Sequence, residues 1–161
     1  MQEFISTGAT FSPCRRYRYT LNREWREGEG TCTFVMLNPS TATEQILDPT
    51  VRRCVGYAQD WGYKRLQVLN IFAFRATDPK ELYLVADPVG PENDDAIVIG
   101  AGGSDLVVCA WGNHGKLNGR GREVLGLLSE YAEPMVLAMT KANHPNHPLY
   151  LKASLRPVPF P

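Results

Sequence analysis

The sequence lacks any long hydrophobic segment. No apolar run reaches the roughly 18 residues that a membrane-spanning helix requires. Residues 1–4, Met-Gln-Glu-Phe, form neither the basic start nor the apolar stretch of a secretory signal. We therefore expect a cytoplasmic protein that has no membrane partner.

Closely spaced metal ligands are also missing. The four cysteines, Cys14, Cys32, Cys54 and Cys109, contain no C-x-x-C pair, and the three histidines all lie in the C-terminal third. Zinc and iron–sulfur sites use cysteine and histidine ligands at short, regular spacings, so a metal site is not expected. No cofactor is predicted, and the cysteines are expected to be reduced thiols with structural roles.

The chain has no excess of charge of either sign, because 17 lysines and arginines balance 17 aspartates and glutamates. Tight, salt-driven binding to long duplex DNA relies on positive charge that this composition does not provide. Contact with nucleic acid would have to come from a local patch. One candidate patch is present, consisting of Arg15, Arg16, Arg18, Arg23 and Arg26.

The composition that remains is that of a globular domain. The 161 residues are 43% hydrophobic and 21% charged, which suits one buried core and is too short for two ordinary domains. We predict one α/β domain over residues 1–161. Alternating apolar and polar residues predict a strand at 17–25. A glycine-rich turn and a second strand at 31–37 follow, so the chain is predicted to form an antiparallel hairpin within 14–37. The proline-rich tail, 156–161, is expected to be irregular.

Helices and apolar strands alternate after the predicted hairpin. A capping aspartate followed by proline predicts two helix starts, at Asp48-Pro49 and at Asp78-Pro79. Two further helices are predicted at residues 91–99 and 119–131. Apolar runs predict three buried strands, at residues 66–73, 105–111 and 134–139. Strands separated by helices imply crossover connections and a mainly parallel sheet, so the fold class is α/β.

Polar residues gather where the predicted buried strands end. They are Asn38 and Ser40 after the first strand, Asn70 and Arg75 at the second, residues 111–115 (including Trp111 and His114) at the third, and residues 144–148 after the last. The carboxyl ends of parallel strands lie at one edge of a sheet, where ligands bind in the crevice. These four segments are therefore expected to converge on one pocket.

Each of these residues also has a simple structural explanation. Asn38, Pro39 and Ser40 favour turns, so this segment is as typical of a turn that leaves a strand as of a binding site. An amide inside a buried strand costs about 1–3 kcal/mol unless it is hydrogen-bonded. Asn70 is therefore expected to bind either a ligand or the backbone of a neighbouring loop. An arginine after a strand, such as Arg75, is more commonly a solvated charge.

Four motifs, taken in order, resemble those of the uracil-DNA glycosylase superfamily. Residues 36–40, Met-Leu-Asn-Pro-Ser, resemble its G-I-N-P-G loop, and residues 68–70, Val-Leu-Asn, resemble L-L-N. Residues 109–112, Cys-Ala-Trp-Gly, resemble L-L-W-G, and residues 144–149 resemble H-P-S-P-L with one residue too many. The resemblance covers roughly residues 31–151. It implies a three-layer α/β/α core of about four parallel strands, with helices on both faces of the sheet.

The resemblance also implies an activity, the hydrolysis of the bond between a base and its sugar. In that activity Asn38 would position the attacking water, and Asn70 would hydrogen-bond the edge of the extruded base. Either His144 or His147 fits the histidine that donates a hydrogen bond to the oxygen of the departing base, and His144 is the preferred candidate. An amide is a far poorer base than a carboxylate, so the reaction would be slow or would need a good leaving group.

The remaining candidate residues concern the selection of substrate. Ser40 replaces the tyrosine that excludes thymine in the strict uracil enzymes, so a different base is expected. An aromatic ring such as that of Trp111 would stack on an extruded base. Arg52, Arg53 and Arg75 are candidates for contacts with phosphate groups.

A second set of residues resembles a small bacterial and phage family that is known only as a domain of unknown function. These residues are 38–42, 48–50, 75–79 and 147–150. This resemblance supplies no activity.

Three functions are compatible with these features. The first is an N-glycosidase that removes an unusual or modified base from nucleic acid, in repair or modification of DNA. The second is an enzyme that acts on a free nucleotide or nucleoside, which the neutral composition favours. The third is a non-catalytic module that binds a modified base or a protein partner.

Overall fold

The structure is a computed structural model that describes residues 3–40 and 48–161. Thr41 and Ala42, which belong to the second resemblance, lie outside the described residues. In this part of the chain the strands are β1 (Phe4–Phe11), β2 (Arg18–Trp25), β3 (Thr31–Met36), β4 (Arg65–Asn70), β5 (Leu106–Cys109), β6 (Pro134–Val136) and β7 (Val158–Pro159). The α-helices are α1 (Pro49–Asp60), α2 (Asn93–Gly102) and α3 (Arg120–Ser129). Two 3-10 helices cover Pro79–Tyr83 and Asn113–Gly119.

All of these strands belong to one sheet, in the order β1-β2-β4-β3-β5-β6-β7. The neighbours β4, β3, β5 and β6 run parallel to one another. The pairs β1–β2, β2–β4 and β6–β7 are antiparallel. The predicted α/β class is therefore confirmed. The finer prediction, a mainly parallel sheet of about four strands, is not confirmed, because the described residues form a seven-stranded sheet with three parallel and three antiparallel pairings.

The predicted hairpin within residues 14–37 is also wrong. β2 and β3 do not pair, because β4 lies between them. Leu21 of β2 faces Ala9 of β1 on one side and Val68 of β4 on the other. The sequence located β2 and β3 correctly, but the alternation that marks β2 does not identify the partner of that strand. The hairpin in the structure is β1–β2. The sequence did not predict β1, because its side chains are exposed or only half-buried and so give no apolar pattern.

Both predicted aspartate-proline helix starts are present. The Asp48 carboxylate accepts a hydrogen bond from the backbone N–H of Val51 at 2.8 Å, which caps α1. The Asp78 carboxylate accepts from the N–H of Lys80, and the Glu81 carboxylate accepts from the N–H of Asp78. This reciprocal capping box opens the 3-10 helix Pro79–Tyr83.

The other two predicted helices are confirmed with shifted ends, since α2 begins at Asn93 and α3 covers ten residues of the predicted thirteen. The tail was expected to be irregular, but its residues Val158–Pro159 form β7 and pair with β6. Among the described residues, no helix is long and apolar enough to cross a membrane.

Two hydrophobic cores lie on opposite faces of the sheet. On one face, Phe34 and Met36 of β3 pack with Val55 and other buried residues of α1. On the other face, Val35 of β3 packs with buried residues of α2 and α3, such as Ile97. All six residues of β3 are buried, as expected for a strand that is covered on both faces. The central strands are thus fixed between helices, which also fixes the position of their carboxyl ends at one edge of the sheet.

Candidate functional site

A cavity of about 470 Å³ lies at the edge of the sheet where the parallel strands end. We call it the strand-end cavity. Its walls come from the segments that follow β3, β4 and β5, from the first turn of α1, and from the start of β2. The volume falls within the range of roughly 300–1,000 Å³ that is typical of small-molecule sites. His147, from the segment after β6, lines the cavity as well, so the predicted segments after β3, β4, β5 and β6 meet at one cavity.

Asn38 lies in the wall that follows β3. Its amide nitrogen donates to the backbone carbonyl of Ala76 at 2.9 Å and to that of Pro39 at 3.0 Å. The backbone N–H of Ala76 in turn donates to the carbonyl of Pro39. These bonds join the segments after β3 and β4. They also use the amide hydrogens of Asn38, so Oδ1 is the atom of this side chain that remains to accept a hydrogen bond.

Asn70 is the last residue of β4 and lines the same cavity. The residue is 1% exposed, and its Nδ2 has no hydrogen-bond partner among the described residues. Its backbone is held firmly, because Asn93 Nδ2 donates to the carbonyls of Asn70 and Ile71, and Arg120 Nε donates to the carbonyl of Ile71. A fixed backbone with an unpartnered buried amide is the arrangement expected of a ligand-binding residue.

Trp111 follows β5 and contributes a buried aromatic wall. Two glycines make room for its ring. A Cβ atom at Gly115 would lie 2.3 Å from Trp111 Cδ1, and one at Gly121 would lie 2.8 Å from Nε1. The backbone N–H of Gly112 donates to the carbonyl of Pro145 at 2.7 Å, which ties this segment to the C-terminal histidines.

The structure places His147, but not His144, in the strand-end cavity. His144 lines a separate cavity of about 210 Å³ behind Trp111. His147 Nδ1 accepts a hydrogen bond from the backbone N–H of Leu149 at 3.2 Å. The imidazole proton is therefore on Nε2, which is available as a donor. Burial lowers the pKa of His147 from 6.5, although the Asp48 carboxylate opposes this shift, so the ring is neutral at neutral pH.

Ser40 and Asp48 form an adjoining part of the wall. Ser40 Oγ donates to Asp48 Oδ2 at 3.3 Å, while Asp48 Oδ1 caps α1. The sequence identified Asp48 only as a capping residue. The structure shows that the cap also brings a carboxylate to the cavity.

Arg18 is a second cavity residue that sequence reasoning did not select, except as one of five arginines in a basic patch. β2 runs antiparallel to β4, so the start of β2 lies beside the end of β4, and the N–H of Arg18 donates to the carbonyl of Ala73. The residue is 3% exposed, and its Nε donates no hydrogen bond to any of the described residues. Burial lowers the pKa of Arg18 to about 10, so the guanidinium remains charged at neutral pH.

His114 also lines the cavity, from the 3-10 helix after Trp111. Its Nδ1 lies 3.0 Å from the hydroxyl oxygen of Tyr83. The glycine-rich sequence around His114 indicated a loop and gave no reason to select this histidine over the other two.

The three arginines predicted to contact phosphate do not line the strand-end cavity. Arg75 lies with Arg15 and Arg16 in a groove of about 600 Å³, which we call the arginine groove. Arg52 and Arg53 line a cavity of about 240 Å³ beside α1. Arg53 donates to the carbonyl of Leu151 and lies over the ring of Tyr57, contacts that hold the C-terminal segment against α1.

The cysteines divide into two groups. Cys32, Cys54 and Cys109 are buried, and burial raises the pKa of each thiol, as expected for structural residues. Cys14 is exposed instead, and a hydrogen bond with Ser12 lowers its pKa. Within residues 3–40 and 48–161, no cluster of three or more histidine, cysteine or acidic side chains could hold a metal ion.

Comparison with known proteins gives one match. No curated protein and no solved structure matches the chain. A family model described as "Protein of unknown function (DUF1643)" matches residues 18–149, which include every residue of the strand-end cavity named above. The chain therefore belongs to this family.

Proposed function

We propose that the protein recognises a nucleobase in the strand-end cavity and hydrolyses the bond that joins the base to a sugar. The observation that carries this proposal is the side chain of Asn70, which is buried, faces the cavity and has no partner for Nδ2 among the described residues. An amide offers one donor and one acceptor in a plane, which matches the amide or imide edge of a base. A bound base would satisfy a group that otherwise costs about 1–3 kcal/mol.

The attacking water would be positioned by Asn38 Oδ1. In the reaction the bond between the base nitrogen and the sugar carbon breaks, the base leaves with the electron pair, and the water oxygen bonds to that carbon. Asn38 Oδ1 would orient the water but is too weakly basic to take its proton. The carboxylate of Asp48 lies in the same wall and would be the proton acceptor.

The negative charge that develops on the departing base would be stabilised by His147. Its Nδ1 accepts from the backbone N–H of Leu149, so the Nε2 proton is the one that can be donated. A fixed donor at the point where charge develops is an effective way to lower a reaction barrier. The ring of Trp111 would provide a surface for stacking against the base.

The arrangement of the parallel strands and helices supports this proposal. The parallel strands β4, β3, β5 and β6 are adjacent and lie between α1 on one face and α2 with α3 on the other. That arrangement agrees with the resemblance to the uracil-DNA glycosylase superfamily. Since one fold hosts many activities, the argument for function rests on the cavity residues.

The arginine groove favours nucleic acid as the carrier of the base. Arg16 is two residues from Arg18 of the cavity, and Arg75 precedes Ala76 of the cavity. A strand of nucleic acid that places a base in the cavity would therefore have positively charged side chains nearby for its phosphates. A free nucleotide is the second candidate substrate, since the chain as a whole has no net charge.

The proposal is tested by measuring base release. Single- and double-stranded oligonucleotides that carry uracil, mismatches and modified bases are incubated with the protein, and free base and alkali-labile abasic sites are measured. We expect release that falls at least about tenfold in Asn38→Ala, because the water loses its orienting group. Asn22→Ala is the matched control, since Asn22 lies in β2 and lines a different groove.

The remaining outcomes separate the alternatives. Equal release by the wild type and Asn38→Ala would exclude the proposed role of Asn38. Base release from free nucleosides or nucleotides, but from no oligonucleotide, would identify the second candidate substrate. Binding of a nucleobase without release from any compound would overturn the hydrolytic part and favour a non-catalytic module. Circular dichroism of each variant establishes that loss of activity does not reflect unfolding.

A further inference from the structure

Arg18 stands out among the residues of the strand-end cavity because it brings a full positive charge. The residue is 3% exposed and lines the cavity. Within the described residues it forms no ion pair, and its Nε has no hydrogen-bond partner. We propose that Arg18 binds a phosphate group of the ligand, so that the cavity takes a nucleotide rather than a bare base or a nucleoside. This inference rests on the proposed function.

The first step of the argument is the cost of burying the charge. Moving an ion out of water costs several kcal/mol in a real protein, and an ion pair with good geometry is needed to offset that cost. Burial lowers the pKa of Arg18 to about 10, so the side chain does not escape the cost by losing its proton at neutral pH. An anion in the cavity would supply the missing partner.

The second step concerns the charges that surround Arg18. The Asp48 carboxylate favours the charged form of Arg18 but lies beyond ion-pair distance. Arg75 and Arg23 add positive charge that disfavours it. Arg18 therefore has one acidic group and two basic groups in its surroundings, and among the described residues it forms no ion pair with the acidic one. With this excess of positive charge, an added negative charge beside the guanidinium would be electrostatically favourable.

The third step is the choice of anion. Guanidinium is planar and presents paired N–H donors that fit two oxygens of a phosphate group. Asn70, at the end of the neighbouring strand β4, lines the same cavity and is the proposed partner of the base. A ligand that satisfies both side chains needs a base edge and an anionic group joined within one small molecule or one nucleotide unit, which describes a nucleotide.

The experiment compares ligands that differ only in phosphate. Binding of nucleosides, their 5′-monophosphates, and inorganic phosphate alone is measured by isothermal titration calorimetry at fixed ionic strength, for each of the common bases. We expect at least one monophosphate to bind tenfold or more tightly than its nucleoside. Equal affinities of each monophosphate and its nucleoside in the wild type would overturn the inference without any need for a variant.

Variants identify Arg18 as the cause of the difference. Arg18→Met removes the charge and keeps the length of the side chain, and Arg26→Met makes the same substitution at an exposed arginine beyond the other end of β2. We expect the gain from phosphate to disappear in Arg18→Met and to persist in Arg26→Met. Persistence of the gain in Arg18→Met would assign the phosphate to another residue and would overturn the inference.

The design also separates this inference from the proposed function. Inorganic phosphate that binds in an Arg18-dependent manner, with no binding of any nucleobase compound, would support the phosphate site and reject nucleobase recognition. Nucleosides that bind as tightly as their monophosphates would support nucleobase recognition and reject the phosphate site. A short single-stranded oligonucleotide serves as a further probe. Oligonucleotide binding that depends on Arg18 would identify a phosphodiester as the group bound by Arg18. If the oligonucleotide does not bind but monophosphates bind tightly, the ligand is a free nucleotide.

Discussion

Two arginines are buried near the carboxyl end of β4, and their surroundings differ in one respect. Arg120 is 2% exposed and Arg18 is 3% exposed. Every nitrogen of the Arg120 guanidinium has a partner, because Nε donates to the carbonyl of Ile71 and the other two contact Glu123 and Asp94 at 2.5 and 2.7 Å. For Arg18 no such partner is present among the described residues.

Burial alone therefore does not separate structural residues from ligand-binding ones, and neither does one unpaired atom, because Asn93 Oδ1 is also buried without a partner among the described residues. What distinguishes Asn70 and Arg18 is that their unpaired nitrogen atoms belong to residues of the cavity wall, to which Asn93 does not contribute. Arg120 and Asn93 both bond to the backbone at the end of β4 and fix its position. Asn70 and Arg18 line the cavity on the other side and leave nitrogen atoms unpaired. Because buried polar groups in proteins are nearly always hydrogen-bonded, unpaired groups that share one cavity point to a missing ligand.

The largest difference in stability is expected from exchanging each arginine for methionine. Arg120→Met loses a charged donor to a buried carbonyl and two contacts with carboxylates, and we expect a loss of about 2–3 kcal/mol in the free energy of unfolding. Arg18→Met removes a buried charge that has no partner, so its stability should change by less than about 1 kcal/mol or should rise. Urea denaturation measures both. Equal losses of unfolding free energy in the two variants would show that protein groups stabilise Arg18 as they stabilise Arg120, and the two arginines would then not differ.

Asn70→Leu tests the same distinction at a buried amide. Leucine has a similar size and no polar atoms, so it relieves an unsatisfied group, and we expect the free energy of unfolding to stay within about 1 kcal/mol or to increase. Binding of a nucleotide or oligonucleotide that the wild type binds should weaken at least tenfold, which calorimetry measures. Asn93→Leu is the matched control, because Asn93 Nδ2 bonds to two backbone carbonyls and its loss should destabilise the fold. A large loss of stability in Asn70→Leu would contradict the assignment.

Sequence reasoning located the segments of the site better than the topology of the sheet. The expectation that polar residues converge where parallel strands end placed Asn38, Asn70 and Trp111 at one edge, and all three line the cavity. That expectation depends only on strand direction, which alternating strands and helices predict well. The pairing of β2 was predicted incorrectly because its hairpin partner is β1, and the exposed side chains of β1 give no apolar pattern in the sequence.

The missed residues follow from that error. With β2 wrongly paired to β3, nothing indicated that Arg18 lies beside the end of β4. The two C-terminal histidines could not be separated by spacing either, because the choice depends on the turn around Pro145. That turn is fixed by the hydrogen bond from Gly112 to the carbonyl of Pro145, a contact between distant parts of the chain.

His147 offers a comparison that depends on pH. Burial lowers its pKa from 6.5, so the unfolded chain takes up a proton more readily than the folded one as the pH falls. The contribution of His147 to stability is therefore complete above pH 6.5 and declines as the pH falls from 6.5 to the folded pKa. We expect His147→Gln to flatten the pH dependence of the urea midpoint in this range, and His144→Gln to retain it. An unchanged slope in His147→Gln would contradict the burial of this ring.

The smallest effects are expected at the partners of Arg120. The side chains of Glu123 and Asp94 are 63% and 57% exposed, so water already solvates much of their charge. Glu123→Gln and Asp94→Asn should each reduce the free energy of unfolding by less than about 1 kcal/mol, since the other carboxylate and the carbonyl of Ile71 still hold the guanidinium.

The double variant Asp94→Asn/Glu123→Gln gives the sharpest form of the comparison. It leaves Arg120 buried without a negatively charged partner, which is the condition of Arg18 in the described structure. We therefore expect the loss in the double variant to exceed the sum of the single losses by about 0.5 kcal/mol or more. Additive losses, measured by urea denaturation, would mean that this protein tolerates a buried guanidinium without a counter-charge. In that case the burial of Arg18 would no longer argue for an anionic ligand.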